Sequence, residues 1–240
     1  MKSSLEIPQH WTFRSREVAK HFDQHVKEQL PFYELATNAV AHFGRHYIPN
    51  GGRVYDIGAS TGNVGNALRE TLAQRKAKFT AIDESQEMTD RYAGPPQLIV
   101  ADAVSYAYEP FDFAVAFLVF MFLPVATRGS FLRRLQGLTK PGGALVILDK
   151  IQMPAGYVGT AFSRLTLQQK LAVGAEPAAI LQKELSLAGY QRPFDTRLLP
   201  KSARVFFQVG EFVGWIIEAK SRKNEKNALT KEEHGQLLVA

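Results

Sequence analysis

Apolar and polar positions alternate along this chain in two registers. Up to about residue 46 the apolar residues recur at helical spacing, over 17–26 and 34–43, and Pro31 separates the two runs. From residue 53 short apolar runs take over, each followed by a helical stretch. Strands are predicted over 53–57, 78–82, 97–100, 111–117 and 144–148. Helices are predicted over 63–73, 87–92 and 128–138, with a turn at Lys140-Pro141-Gly142-Gly143 before the fifth strand. Strands alternating with helices predict a parallel sheet covered on both faces. Further on, 160–172 and 178–187 read as helices. The aromatic-rich runs 205–209 and 212–218 read as an antiparallel edge pair that completes a seven-stranded sheet. The expected fold is α/β and Rossmann-like: a seven-stranded, mostly parallel sheet with an antiparallel edge strand, flanked by helices. The expected division is a helical cap over 1–50, the α/β domain over 51–220 and a polar tail over 221–240.

Composition changes this picture little. A chain of 240 residues with 45% hydrophobic content buries a sizeable core. The absence of cysteine excludes disulfides and thiolate metal sites and accords with a reducing, cytoplasmic location. The start of the chain has no signal-peptide core, and the longest apolar run, 113–126, is too short for a membrane span and reads as a buried strand. The net charge is +6. That admits a nucleic-acid partner, but no basic and aromatic residues interleave, and the cluster Lys220–Lys226 reads as a solvated tail.

The chemistry concentrates at the predicted strand ends. Val54-Tyr55-Asp56-Ile57-Gly58-Ala59-Ser60-Thr61-Gly62-Asn63 is a strand, a glycine-containing turn and a helix start. Gly58 and Gly62, with small Ala59 and Ser60 between them, permit close approach of backbone to ligand. A dinucleotide fingerprint needs Gly-x-Gly-x-x-Gly, and Ser60 and Asn63 break it. Asp56 would also repel a pyrophosphate; it suits either the turn's own N–H groups or a cationic amino-acid ligand. Asp83, in Ala81-Ile82-Asp83-Glu84-Ser85, ends the second strand and is suited to two ribose hydroxyls, or to capping the next helix. Glu84 flanks it on the solvent side, and Met88 is placed to pack on adenine. Asp102 and Ala103 follow the third strand, where a carboxylate and an N–H can read the adenine edge; alone, such an Asp is a turn residue.

In this order the segments resemble class I S-adenosylmethionine-dependent methyltransferases. With Trp11-Thr12-Phe13, Val18-Ala19, Phe22-Asp23 and Leu30-Pro31-Phe32-Tyr33 ahead of them, they are similar to carboxy-S-adenosylmethionine synthase, an enzyme of tRNA wobble-uridine modification. The similarity covers most of 11–150 and returns near 212–220. It implies a homodimer, and it implies that Tyr33, Gly58, Ser60, Asp83, Asp102 and Ala103 line the cofactor. Asp56, Ala59, Gly62, Glu84, Met88 and Phe117 complete the candidate set. The chain departs from that family at Phe117, where the family has asparagine, and after the fifth strand, where the arginine that grips the extra carboxylate has only Arg164 as a nearby counterpart. A buried carboxylate without a cation is disfavoured. The departures therefore favour ordinary S-adenosylmethionine over its carboxylated form.

On the acceptor side, 114–123 offers no Asp, Asn, His or Tyr, and the Asp/Asn-Pro-Pro-aromatic pattern is absent. The expectation is methyl transfer to a small molecule in an apolar pocket. A carboxy-S-adenosylmethionine synthase-like enzyme and a non-catalytic or nucleic-acid-associated module are the alternatives. His21/His25 and His42/His46 sit four apart on predicted helices; without a third ligand they read as exposed pairs, not a metal site. Any of them becomes a candidate base if the helices cover the pocket. Arg14 and Arg16 are candidates for an anionic substrate group.

Overall fold

The computed structural model describes residues 5–219. The expected polar tail and the Lys220–Lys226 cluster lie outside the described residues. Two helices lead, α1 (Arg16–Gln29) and α2 (Tyr33–Tyr47). Ser15 caps α1 by accepting from the Val18 N–H, and the chain turns at Leu30 and Pro31 as expected. Then come β1 (Arg53–Ile57), α3 (Asn63–Gln74), β2 (Lys78–Asp83), the single turn α4 (Gln86–Thr89), β3 (Leu98–Val100), β4 (Phe111–Phe117), α5 (Val125–Leu138) and β5 (Thr139–Lys150). The chain finishes with α6 (Tyr157–Ala172), α7 (Pro177–Ser186), β6 (Arg204–Val209) and β7 (Phe212–Glu218).

The sheet order is β3-β2-β1-β4-β5-β7-β6. Neighbours from β3 to β5 pair in parallel, and β7 runs against both β5 and β6. Alternate residues of one strand serve opposite layers. Val115 and Val146 face the layer of α2 and α3, with Val40 and Leu68, while Ala114 and Leu145 face that of α5, with Phe131 and Leu132. Burial on both faces explains why these strands read as continuous apolar runs.

Two expectations need correction. The apolar run 113–126 is not one strand: β4 stops at Phe117, Leu118 takes a left-handed φ of 60°, and a 3-10 turn (Phe120–Phe122) leads into α5. The turn at 140–143 does not precede the fifth strand but lies within it. β4 pairs Phe111 with Thr139 and then Phe113 with Ala144, so Lys140–Gly143 bulge out, with Gly142 at φ 81° and Lys140 Nζ donating to Asp112 Oδ2 at 2.8 Å.

The 3-10 turn is held by a buried arginine. Arg128, 2% exposed, donates from Nε to the Leu123 carbonyl (3.0 Å), from Nη1 to Pro193 (2.9 Å) and from Nη2 to Met121 (3.1 Å). Asp149 receives the Met121 N–H from below (3.2 Å). Arg128→Met removes three hydrogen bonds and leaves the Leu123 and Pro193 carbonyls without a donor, while Met121 keeps the Arg192 N–H. It is expected to cost about 2–4 kcal/mol in urea unfolding; a loss below about 0.5 kcal/mol would show that the arginine is dispensable.

Candidate functional site

Sheet order reverses between β1 and β4, and loops that leave a sheet in opposite directions open a crevice there. A cavity of about 710 Å³ occupies it, a size suited to a nucleoside cofactor with a small second ligand, since ligand pockets run from about 300 to 1,000 Å³. Eleven of the twelve candidate residues line it: Tyr33, Asp56, Gly58, Ala59, Ser60, Asp83, Glu84, Met88, Asp102, Ala103 and Phe117. Gly62 does not. It starts α3 in the left-handed region (φ 93°), and a Cβ there would sit 2.6 Å from the Gly94 backbone N, so its role is to pack the turn.

Each strand end is built by hydrogen bonds of its own. Gly58 takes φ 70° where a side chain would meet Val119. Ser60, with φ 51°, is a strained non-glycine residue whose buried hydroxyl has no partner. Asp83 holds that strain in place: Oδ2 accepts from the Ser60 N–H (2.8 Å) and Oδ1 from the Ser85 N–H (2.9 Å). Ser85, not Asp83, caps α4. Asp83 keeps one lone pair on each oxygen for further donors, and burial raises its carboxyl against the pull of those N–H groups. Asp102 is exposed at the rim, accepting from the Val104 N–H (2.8 Å). Glu84, also exposed, lies 3.5 Å from Arg14. Met88 is buried, and Tyr33 meets the Phe117 ring edge-on with centroids 5.4 Å apart. Burial drives the Tyr33 hydroxyl well above its ordinary range.

The N-terminal helices close over this floor. Asp23 Oδ1 accepts from the Thr61 hydroxyl (2.6 Å) and from Asn63 Nδ2 (2.8 Å), which ties α1 to the turn after β1. Ser85 Oγ donates to the Phe13 carbonyl (2.8 Å). His25 is not exposed as expected. It is 4% exposed, stacked on Trp11 and part of the cavity wall. Burial, reinforced by Lys183 and Lys170, lowers it to about 3, so the imidazole is neutral at pH 7. His42 and His46 are exposed. Among the described residues no group of His and acidic side chains is placed to hold a metal.

Residues missed in the sequence are the cavity's lysines. Arg164 is exposed on α6 and does not line the cavity; Lys150, Lys170 and Lys183 do. Lys150 lies 3.0 Å from Glu211, and Lys170 3.0 Å from Glu184. The cavity is therefore not short of cations, contrary to the expectation drawn from Arg164. The available signal was spacing: Lys183 lies three residues after buried Ile180 and four before buried Leu187, on the inward face of α7.

Comparison with known proteins agrees with this architecture. A family profile described as "Methyltransferase domain" matches residues 55–147. Over that segment the chain is similar to class I S-adenosylmethionine-dependent methyltransferases. It is also similar to the carboxy-S-adenosyl-L-methionine synthase of Staphylococcus epidermidis, 26% identical over 223 residues that make up 87% of this chain and 97% of that protein. The enzyme of the same name from Shewanella denitrificans is 27% identical over 189 residues, 75% of this chain and 77% of that protein. Among solved structures, the plantazolicin methyltransferase BpumL, in complex with a substrate analog and SAH, superposes with a TM-score of 0.58 at 12% identity, covering 85% of this chain and 90% of that one. Human N-acetylserotonin methyltransferase in complex with SAM gives 0.56 at 12% identity, covering 87% of this chain but 58% of that longer one. At these identities the structures attest to the shared fold.

Asp56 yields a pH prediction. It is fully buried with one N–H donor, from Gly65 at 3.2 Å, and burial raises it to about 7. The unfolded carboxyl titrates near ~3.9. A raised folded value favours the protonated form, so this stabilising contribution is complete below about pH 4 and is lost as pH climbs through about 7. Between pH 5 and pH 8 the native protein is expected to lose more melting temperature than Asp56→Asn; parallel profiles for the two would contradict this.

Proposed function

We propose that this chain is an S-adenosylmethionine-dependent methyltransferase whose acceptor is a small molecule. The observation that carries the reading is the row of carboxylates at the ends of β1, β2 and β3, all on one wall of the cavity beside the left-handed turn. Those residues fit the cofactor group by group. Asp83 has free lone pairs for two ribose hydroxyls, Asp102 and the Ala103 N–H suit the adenine edge, and Met88 offers an apolar face to the base. Asp56 is an acidic partner for the amino-acid ammonium, and Gly58, Ala59 and Ser60 leave room for backbone contact. When bound, S-adenosylmethionine supplies an electrophilic methyl group on a sulfonium sulfur. Phe117, Val119 and Met121 form the adjoining apolar wall, which excludes water and aligns an acceptor.

Calorimetry with S-adenosylhomocysteine is expected to show binding, and Asp83→Ala to weaken it by at least about tenfold, through loss of the ribose acceptor and of both backbone anchors. Absence of binding at high micromolar concentration overturns the reading.

A second reading, a carboxy-S-adenosylmethionine synthase-like activity, is favoured by the relatives of that name and by the lysines in the cavity. Mass spectrometry of ligand released from the purified protein separates the two. The expected species are S-adenosylmethionine or S-adenosylhomocysteine; the carboxylated cofactor would reverse the order.

A homodimer belongs to the same proposal. Leu165, Leu167 and Leu171 of α6 and Leu181 and Leu185 of α7 stand exposed, Leu185 by 65%. Light scattering is expected to give twice the 26.8 kDa chain mass, and Leu181→Lys with Leu185→Lys to halve it; a monomeric native protein refutes this.

A further inference from the structure

The cavity is electrically divided, and sheet order sets the direction. Asp56 is the last residue but one of β1, Asp83 ends β2 and Asp102 lies just beyond β3; Phe117 ends β4 and Lys150 ends β5. Lys170 and Lys183 join Lys150 from α6 and α7. Glu184 and Glu211 are the carboxylates beside them, at 3.0 Å from Lys170 and Lys150, so three lysines share two carboxylates. Lys183 is the one left over. It is nine-tenths buried, has no carboxylate within 4 Å among the described residues, and its ammonium lies over the ring of Trp11. On residues lining the same cavity three buried polar atoms lack a protein partner: Trp11 Nε1, His25 Nε2 and Gln29 Oε1. The indole N–H is a donor and the amide oxygen an acceptor, so an acceptor-only ligand answers Trp11 and not Gln29; a buried donor left unpaired is costly.

We propose that this β5–α6–α7 end of the cavity is the acceptor subsite and that it takes a carboxylate, held by Lys183 and the Trp11 indole N–H. A carboxylate only accepts hydrogen bonds, has about four lone-pair positions and carries a charge that favours the protonated form of the third lysine. Phe13 packs edge-on against Trp11, and Phe22, Phe122 and Tyr190 pack edge-on or tilted against Phe13, so the four supply an apolar wall for an aromatic or hydrocarbon body. The word acceptor rests on the methyltransferase reading; the anion seat does not. Burial pushes Lys183 down to about 5, with Glu184 opposing and Lys170 reinforcing. Lys150, Glu211 and His25 are the remaining charged or titratable groups facing the cluster. A carboxylate against Lys183 reverses the effect of burial, so binding at pH 7 takes up a proton.

The experiment is calorimetric titration of the full chain with benzoate and with neutral benzamide, at pH 7 in two buffers of different ionisation heat, with and without saturating S-adenosylhomocysteine. The expected result is at least about a tenfold preference for benzoate, with proton uptake, in both states of the protein. Lys183→Met is expected to abolish the preference and the uptake, and Lys183→Arg to keep the preference, with S-adenosylhomocysteine affinity within about twofold in both variants. Equal binding of the two probes, or a preference unchanged in Lys183→Met, overturns the subsite. Benzoate binding that vanishes when S-adenosylhomocysteine saturates the protein overturns its assignment to the acceptor. A benzoate preference without any S-adenosylhomocysteine binding sinks the methyltransferase reading and leaves the anion seat standing.

Discussion

Asp83 ties the loop after β1 to the loop after β2, because its two oxygens accept separately from the Ser60 and Ser85 N–H groups. Ser60 sits in a left-handed conformation that a residue with a Cβ adopts only at a cost of the order of 1–3 kcal/mol. Two hydrogen bonds to a half-buried carboxylate are of the size that compensates it. The turn is thereby held open for a ligand before any ligand arrives, and Gly58 leaves the space in front of Val119 that a side chain would fill. Preorganisation of this kind lowers the ordering cost of binding. The remaining carboxylates depend on it, since Asp56 and Asp102 reach the same cavity only while β1, β2 and β3 end in register.

Charge is the second constraint. A cavity lined at one end by Asp56 and Asp83 and at the other by Lys150, Lys170 and Lys183 carries an internal field, and the apolar Phe117, Val119 and Met121 between them keep that field unscreened. Both ends bear the penalty of burial, visible as raised carboxyls on one side and a depressed Lys183 on the other. Stability alone does not favour this arrangement, because apolar residues at the same positions would fold at lower cost. A cationic ligand at the acidic end and an anionic one at the basic end relieve both penalties.

How much of this was legible in the sequence follows from burial. The strands β1 to β5 and the carboxylates after them could be read because the strands are buried on both faces and leave continuous apolar runs that end at polar residues. The apolar run 113–126 misled because strand, 3-10 turn and helix start are all buried there, so periodicity does not change where the backbone does. The helices α6 and α7 misled for the opposite reason. Their leucines point out and Lys170 and Lys183 point in, so a reading that sends apolar residues to the core inverts them. His25 was hidden by the same logic, since a polar residue on α1 belongs to the surface unless an element not adjacent in sequence, here the Trp11 segment, covers it.

Helix α1 joins the two ends of the cavity mechanically. Asp23 grips Thr61 and Asn63 at the turn after β1, while His25, further along the same helix, stacks on Trp11 and faces Lys183, with Gln29 one turn on in the same cavity lining. A rigid helix cannot shift one of these contacts without the other. The N-terminal segment is fastened at both sides as well, by the Trp11 N–H on the Ser186 carbonyl of α7 (2.9 Å) and by Ser85 on the Phe13 carbonyl. The cap is therefore less a lid over a finished site than the element that completes it. It supplies the orphaned polar atoms at one end and braces the strained turn at the other, so the two halves of the cavity share one structural support.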